Sequence, residues 1–291
     1  MNRPEHSETE ATIEAMEGLG IAALQNALRV HNELGEDGLT DIPVNRYRTT
    51  LKGDMEAELA VIDTLEEGDF SFLIHSEENG IVTFDRRQDY LAVLDGIDGS
   101  KSYIEKFGEG RYATMLGIFA NIDPTYDDYM FSGIMEHATG RLFYAVKGKG
   151  AFVLKNGVKT RIHCSTNKAL DPRTAVVNAD TNFDKALKTD VVGRITARLA
   201  GVDIRCEDSS AAHYANLADG TVEAVIESTR KDNLEIAAAY GLIAESGGIM
   251  VTLDGKSLGD KRYLVFGQQD HMAVISAANL LIATDLLRRV A

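Results

Sequence analysis

The sequence Tyr90-Leu91-Ala92-Val93-Leu94-Asp95-Gly96-Ile97-Asp98-Gly99-Ser100 joins an apolar run to two acids in a glycine-rich turn. The apolar run predicts a buried strand, and the acids follow at its end. Such a carboxylate pair suits Mg²⁺, which binds oxygen ligands and usually takes one or two carboxylates beside water and phosphate oxygens. The N–H groups of Gly99 and Ser100, with the serine hydroxyl, could then hold an anion next to the metal. The alternative is an ordinary turn with solvated aspartates.

Two other segments carry acids in a similar setting. Phe72-Leu73-Ile74-His75-Ser76 is a second apolar strand, and Glu77 and Glu78 follow it. An alanine-rich helix from Leu234 has Glu235 in its first turn and is followed by Gly247-Gly248. Together with the first turn, these segments resemble the inositol monophosphatase family, which consists of Mg²⁺-dependent, lithium-sensitive phosphomonoesterases. The family pattern is an acid pair, then D-P-[IL]-D-[GS]-[TS], then W-D-x-A-A-G before Gly-Gly.

The resemblance extends over nearly the whole chain. The segment from Gly140 to Phe152 is similar to the family's E-x-Y-x-A-x-x-G-x-G-A-F hairpin. Ser209-Ser210-Ala211-Ala212 stands where the family has G-S-A-A, and the segment from Ala218 to Ala224 matches A-x-G-x-[LV]-[DE]-A. These motifs occur in the family's order, so the resemblance does not rest on one turn.

Two positions depart from the family pattern. Gly96 replaces a proline, which loosens a turn that proline would preset. Leu234-Glu235 replaces W-D, so the acid is one methylene longer. Glu235 could instead close a helix capping box with Asp232, or Asp232 could itself bind the metal.

The resemblance implies two or three Mg²⁺ ions bound mainly by carboxylates. One ion would be held by Glu77, Asp95 and the Ile97 carbonyl, and a second by Asp95, Asp98 and Glu235. Two metals about 3.5–4 Å apart can activate water and stabilise a leaving oxygen. Glu77 and Glu78 could alternatively be solvated acids that close a strand, and Glu78 is expected to support the site rather than bind the metal.

The resemblance also assigns the attacking water and the phosphate. Ser100 and Asp54, together with Glu77 at the metal, would activate the water, and the N–H groups of Gly99 and Ser100 would hold the phosphate. Asp54 also fits a helix N-cap, and Ser100 fits an ordinary turn. The loop from Glu33 to Lys52 matches the family's mobile catalytic loop, which helps to retain a further Mg²⁺.

The substrate is less readable than the reaction. The family's polyol contacts map to Ala211, Ala212 and, with a one-residue offset, Glu227. Ser100-Lys101-Ser102-Tyr103 is closer to the T-K-x-F of relatives that act on adenosine bisphosphate or histidinol phosphate. We therefore expect hydrolysis of an inositol or sugar phosphate. The alternatives are a 3′-phosphoadenosine 5′-phosphate or histidinol-phosphate phosphatase, and a catalytically impaired binding or regulatory homologue.

Composition limits the class of protein. The chain has 291 residues, of which 44% are hydrophobic and 26% charged, as in ordinary globular proteins. A net charge of −15 argues against nucleic-acid binding, and no apolar run approaches the ~18 residues of a membrane helix. The polar first ten residues do not resemble a signal peptide. Cys164 and Cys206 lack metal-type spacing. A single disulfide between them is the alternative, and we expect a cytoplasmic protein with free thiols. The family resemblance implies a homodimer.

Periodicity along the chain predicts alternating helices and strands. Helices are predicted from Thr9 to Leu34, from Asp54 onward, and at 183–200, 210–218, 234–245 and 271–288. Strands are predicted at 70–75, 90–95, 112–120, 130–136, 141–147, 151–155, 175–177 and 224–226. The segment from Glu33 to Lys52 shows no clean period and is predicted as a loop.

Periodicity alone supports only a mixed α and β protein. The resemblance implies the α+β sugar-phosphatase-like fold, with layered α-β-α-β-α packing. A larger, mostly antiparallel N-terminal sheet would lie beside a smaller C-terminal sheet. Residues 1–156 would carry most metal ligands, and residues 157–291 would supply Glu235 and the substrate contacts, within one compact unit.

Overall fold

A computed structural model describes residues 10–45, 48–182, 190–230 and 232–290. Its helices are α1 Glu10–Leu34, α2 Lys52–Glu67, α3 Ser100–Glu105, α4 Val191–Thr196, α5 Ser210–Ala218, α6 Leu234–Glu245 and α7 Leu280–Val290, with 3₁₀ turns at Gly35–Leu39 and Tyr126–Asp128. Its strands are β1 Asp41–Asn45, β2 Arg48–Leu51, β3 Phe72–Ser76, β4 Gly80–Thr83, β5 Tyr90–Asp98, β6 Ala113–Phe119, β7 Tyr129–Glu136, β8 Arg141–Val146, β9 Gly150–Lys155, β10 Val158–Ile162, β11 Val176–Ala179, β12 Asp203–Arg205, β13 Ala224–Ser228, β14 Ile249–Thr252 and β15 Ala273–Ala277.

The larger sheet has eight strands in the order β10-β9-β8-β7-β6-β5-β3-β4. All of its neighbouring strands are antiparallel except β3 and β5, which run parallel with Ser76 opposite Leu94. The carboxyl ends of β3 and β5 therefore meet at one edge of the sheet. This places the acids that follow β3 beside the acids that end β5.

The smaller sheet has five strands in the order β12-β11-β13-β15-β14. Three apolar cores show how the layers stack. Helices α1 and α2 cover one face of the large sheet, α5 and α6 fill the space between the two sheets, and α4 and α7 cover the outer face of the small sheet. The predicted layered α+β fold, with a larger and mostly antiparallel first sheet, is confirmed.

Several local predictions need correction. Residues 271–288 do not form one helix, because Ala273–Ala277 is the buried strand β15 between β13 and β14. A short run that is apolar on both faces cannot be assigned to strand or helix by periodicity. Helix α7 begins only after Asn279, whose side chain accepts the N–H of Ile282. The predicted loop from Glu33 to Lys52 contains a 3₁₀ turn and the hairpin β1–β2.

Some predictions concern residues that the structure does not describe, and one is not tested by it. Thr9 and residues 183–189 lie outside the described residues, and within 190–200 the helix covers only Val191–Thr196. Strand β10, Val158–Ile162, belongs to the large sheet, so a boundary at 156/157 falls inside the β9–β10 hairpin. The division into two halves stays a prediction. Among the described helices, none is both long and apolar enough to cross a membrane.

Helix α6 packs closely on the large sheet because the facing residues are small. A Cβ at Gly117 in β6 would lie 2.9 Å from the Ala238 Cα and 2.9 Å from the Val93 Cγ2. Ala237 and Ala238 are themselves buried. The close contact matters for the site, because α6 carries Glu235 in its first turn.

We expect Gly117→Val to lower the free energy of unfolding by about 1–3 kcal/mol, because the added methyl groups overpack the α6–β6 contact. Gly18→Ala is the matched control, since beyond its own helix backbone and chain neighbours no atom of the described residues lies within 4 Å of a Cβ there. This exposed helical position should gain about 0.5–1 kcal/mol. Urea denaturation measures both values, and a neutral Gly117→Val would contradict the packing described here.

Candidate active site

A pocket of about 320 Å³ opens at the edge where β3 and β5 end. Its polar lining is dominated by carboxylates. The acids that line it are Glu77, Asp95, Asp98, Asp180, Asp208 and Glu235, and its basic residues are Lys101 and Arg230. The parallel pairing of β3 and β5 and the entry of α6 bring together side chains that are far apart in the sequence.

Three of these acids form a cluster suited to a metal ion. Asp95, Asp98 and Glu235 each present an oxygen within 4.8 Å of the others. In a regular strand, residues three apart would face opposite sides of the sheet. The β5–β6 pairing shifts register between Asp95 and Asp98, and this bulge turns both acids toward the pocket.

The cluster fits a hard cation by the chemistry of its donors. The Oδ1 atom of Asp95 is buried and has no hydrogen-bond partner within the described parts of the chain. A buried carboxylate oxygen without a partner is costly in an apoprotein, and a divalent cation would satisfy it.

Helix α5 holds Asp98 from behind. The Oδ2 of Asp98 accepts the Ser209 hydroxyl at 2.6 Å and the N–H of Ala211 at 2.8 Å. Ser209 is the N-cap of α5 and also accepts the N–H of Ala212 at 3.1 Å. These bonds fix the orientation of Asp98 in the cluster.

A buried acid that the sequence analysis missed organises the loop that carries Glu77. The carboxylate of Glu58 in α2 accepts the N–H groups of Glu77 at 3.0 Å, Glu78 at 3.1 Å and Asn79 at 3.2 Å. It also accepts the Ser76 hydroxyl and the Asn79 side-chain amide. The position of Glu58 in the sequence could have identified it, because an acid one turn after Asp54 falls on the apolar face of α2.

Glu78 is neither among the acids that line the pocket nor in the cluster of Asp95, Asp98 and Glu235. Its carboxylate forms an ion pair of 2.8 Å with Arg48 in β2. The hairpin β1–β2 is thereby connected to the acid loop, and the supporting role of Glu78 stays a prediction.

The turn between Asp95 and Asp98 packs directly against α2. The N–H of Ile97 donates to the Oδ1 of Asp54 at 2.9 Å. A Cβ at Gly96 would collide with the main-chain and side-chain oxygens of Asp54 and lie 2.8 Å from the Glu58 Cγ. The glycine that departs from the family's proline thus makes room for α2.

Asp54 and Ser100 both form hydrogen bonds with the main chain of Ile97, Asp54 with its N–H and Ser100 with its carbonyl. Asp54 lies inside the first turn of α2, which begins at Lys52, so its predicted role as N-cap was wrong. Ser100 is exposed at the pocket and donates its hydroxyl to the Ile97 carbonyl at 3.2 Å. Gly99 has φ +88° and lies against Ser209, a position that favours glycine.

Glu235 reaches the cluster from the start of α6. The helix begins at Leu234 after Asn233, with no side-chain cap bond, so the capping box predicted as an alternative was wrong. Instead, Glu235 pairs with Arg230 at 2.8 Å. Among the described residues, the structure brings Glu235 rather than Asp232 to Asp95 and Asp98.

The predicted substrate contacts lie behind the pocket wall. Ala211 and Ala212 are buried, and their N–H groups are engaged with Asp98 and Ser209. Glu227 is buried against His213, with 2.9 Å between Oε1 and Nδ1. Ser209 and Ser210 line the pocket in the same region. The substrate roles of the three predicted residues remain predictions.

Burial among like charges disfavours the ionised form of the site acids. Burial, then the neighbouring Glu235, raises the pKa of Glu77 to about 8. Burial likewise raises the pKa of Asp98 to about 6, against a lowering effect of Arg230. The pKa values of Asp54 and Asp95 lie well above their usual range for the same reason. A divalent cation would relieve this repulsion.

Comparison with known proteins identifies the family. Residues 5–283 match the profile of the Inositol monophosphatase family. The bifunctional NADP phosphatase/NAD kinase of Methanocaldococcus jannaschii is 28% identical over 241 residues, which cover 74% of this chain and 40% of that protein. The chain thus spans less than half the length of the first curated relatives that it matches.

A second relative matches over most of its own length. The fructose-1,6-bisphosphatase/inositol-1-monophosphatase of Methanothermobacter thermautotrophicus is 26% identical over 248 residues, covering 80% of this chain and 78% of that protein. Among solved structures, the IMPase of Thermotoga maritima superposes with a TM-score of 0.72 at 20% identity, covering 94% of this chain and 96% of that one. This likeness concerns the fold.

We expect the metal-free chain to lose stability as the pH rises. The pKa of Glu77 goes from 4.5 to about 8 on folding, so the folded state holds more protons than the unfolded state between these values. The free energy of unfolding should therefore fall from pH 4.5 to about 8 in EDTA, less steeply in Glu77→Gln, and Mg²⁺ should flatten the profile. Urea denaturation at a series of pH values tests this, and a stability that rises across the range would contradict it.

We expect Glu58→Gln to cost about 1–3 kcal/mol of stability, because an amide NH₂ would then face N–H donors that a carboxylate accepts. It should also weaken Mg²⁺ binding, because Glu77 loses its support. Glu66→Gln, at an exposed position of the same helix, should stay within about 0.5 kcal/mol of the wild type. Equal stability of the two variants would show that Glu58 does not organise the loop.

Proposed function

The chain belongs to the inositol monophosphatase family, and we propose that it hydrolyses a phosphate monoester of a small polyol or sugar with the help of divalent cations. The observation that carries this proposal is the cluster of Asp95, Asp98 and Glu235 at the end of the pocket. Family members are generally metal-dependent, and Asp95, Asp98 and Glu235 supply carboxylate oxygens here, although Glu235 replaces the family's aspartate.

The residues that would hold the cations lie around the bulge of β5. We assign Glu77, Asp95 and the Ile97 carbonyl to one Mg²⁺, and Asp95, Asp98 and Glu235 to a second, with two or three ions in all. When bound, these ions supply neutralisation of the phosphoryl oxygens and a lowered pKa for an attacking water.

The protein's own groups would orient the water and the phosphate. The Ser100 hydroxyl, exposed at the pocket, would hold the water in line with the phosphorus. The Oδ2 of Asp54 would take its proton, since Oδ1 is engaged with the Ile97 N–H. The N–H groups of Gly99 and Ser100 would hold a phosphoryl oxygen, and no covalent phosphoenzyme would form.

The pocket wall suits a hydroxylated substrate. Ser210, Asp180 and Asn182 line it and can exchange hydrogen bonds with hydroxyl groups. The name of the Methanothermobacter relative includes sugar and inositol phosphate hydrolysis, which agrees with this choice. A homodimer, a cytoplasmic location and inhibition by lithium remain predictions from the family resemblance.

A second candidate is a substrate with a further anionic group, such as a nucleotide phosphate or histidinol phosphate. It is favoured by two basic residues at the pocket, Lys101 and Arg230, and by the name of the Methanocaldococcus relative. The impaired regulatory homologue is less well supported, because Asp95, Asp98 and Glu235 still converge.

We expect Mg²⁺-dependent phosphate release from at least one of five compounds: inositol 1-phosphate, fructose 1,6-bisphosphate, NADP, adenosine 3′,5′-bisphosphate and histidinol phosphate. Asp98→Asn should lower the rate by about 100-fold or more, because a ligand of the charge-stabilising site is lost. Asp63→Asn, at an exposed position of α2, should keep full activity. Full activity of Asp98→Asn would contradict the site. If the wild type released phosphate from none of the five compounds and did not bind Mg²⁺, the regulatory homologue would be favoured.

A further inference from the structure

A guanidinium group lies inside the acidic pocket. Arg230 follows β13, and its side chain is only 24% exposed. Its Nη1 contacts the Oε1 of Glu235 at 2.8 Å, and its Nη2 contacts the carboxylate of Asp180 and the hydroxyl of Ser210, the latter at 3.3 Å. Arg230 is therefore held in place by three polar groups that themselves line the pocket.

Glu235 takes part in two competing arrangements. It pairs with Arg230, and it also presents an oxygen within 4.8 Å of Asp95 and Asp98. The other basic residue of the pocket behaves differently, because Lys101 is 57% exposed and pairs with Asp208 at 3.2 Å. Only Arg230, of these two, shares a carboxylate with the cluster.

We propose that Arg230 is a resident cation that competes with a divalent ion for Glu235 and makes its binding depend on a phosphate anion. The proposal rests on the proposed function, since it concerns the same site. With no divalent ion bound, the guanidinium neutralises Glu235 and Asp180. A divalent ion at Asp98 and Glu235 then adds positive charge beside a fixed positive charge in a partly buried pocket, which weakens its binding.

A phosphate group would remove this conflict. A phosphoryl group carries negative charge and several acceptor oxygens, so it can contact a guanidinium on one side and a divalent ion on the other. The planar fork of arginine binds phosphate oxygens in pairs, which a lysine ammonium does not. Arg230 would thus act as a positioning residue through Glu235 in the free protein and contact the phosphate group in the loaded one.

The length of Glu235 agrees with this double role. An aspartate at this position would have one methylene less with which to reach both Arg230 and the Asp95–Asp98 pair. Binding of the metal and of the phosphate would then be coupled, and by linkage each would raise the affinity of the other by the same factor. A substrate phosphate would complete the metal site on arrival.

The test is calorimetric titration with Mg²⁺, with and without inorganic phosphate, on the full chain. Without phosphate, Arg230→Gln should bind Mg²⁺ about 10-fold more tightly than the wild type, because a charge is removed while hydrogen bonding is kept. Phosphate should tighten Mg²⁺ binding by a larger factor in the wild type than in Arg230→Gln. Arg230→Lys, which keeps the charge, should resemble the wild type without phosphate but respond less to it.

Arg173→Gln is the matched control and should change neither value, because Arg173 is 86% exposed, pairs with Asp171 and does not line the pocket. Arg230→Met is a second neutral variant, and circular dichroism and the Mg²⁺-induced rise in Tm check that each variant is folded. That rise should be larger in the neutral variants than in the wild type, because more unpaired acids are relieved.

The outcomes separate this inference from the function on which it rests. Equal or weaker Mg²⁺ binding by both neutral variants, or an equal phosphate effect in all proteins, would overturn the role of Arg230 alone. Absence of Mg²⁺ binding to the wild type, with phosphate present, would instead overturn the proposed metal site. Tighter binding in Arg173→Gln as well would show a general charge effect and also contradict the proposal.

Discussion

The structure depends on one electrostatic constraint, the crowding of buried carboxylates where β3 and β5 end. Burial and neighbouring acids raise the pKa of Glu77 and Asp95, which shows that the protein alone does not fully compensate their charge. The fold tolerates this because the acids are anchored by hydrogen bonds rather than dispersed into solvent. Such crowding of acids destabilises the metal-free chain, and the proposed cations would offset it.

The anchors come from the helical layers on both faces of the large sheet. Glu58 on α2 fixes the loop of Glu77, Ser209 at the start of α5 fixes Asp98, and α6 supplies Glu235 while its alanines fill the space between the sheets. The same helix therefore serves the apolar core and the polar site. Its position is set by close packing on Gly117, so packing in the core controls the distance between the acids of the cluster.

The two departures from the family pattern have local structural reasons. Gly96 allows the turn of β5 to lie against Asp54 and Glu58, where a Cβ would collide with both. Glu235 has the length to reach Arg230 and the acid cluster together. Each departure is thus matched by a neighbouring group.

The sequence by itself indicated a mixed α and β protein and brought Asp95, Asp98 and Glu235 to notice, because apolar runs that end in acids are local signals. The layered arrangement was implied by the family resemblance that these motifs carry. It did not reveal Glu58, Asp180 or Arg230, and it mistook Ala273–Ala277 for helix. Those features depend on which residues, distant in the sequence, contact each one in the folded chain. Only the tertiary structure decides that Glu58 accepts five donors, that Glu235 pairs with a guanidinium and that the Oδ1 of Asp95 has no partner among the described residues. Burial and distance set the energies of these carboxylates, and the spacing of residues in the sequence gives neither.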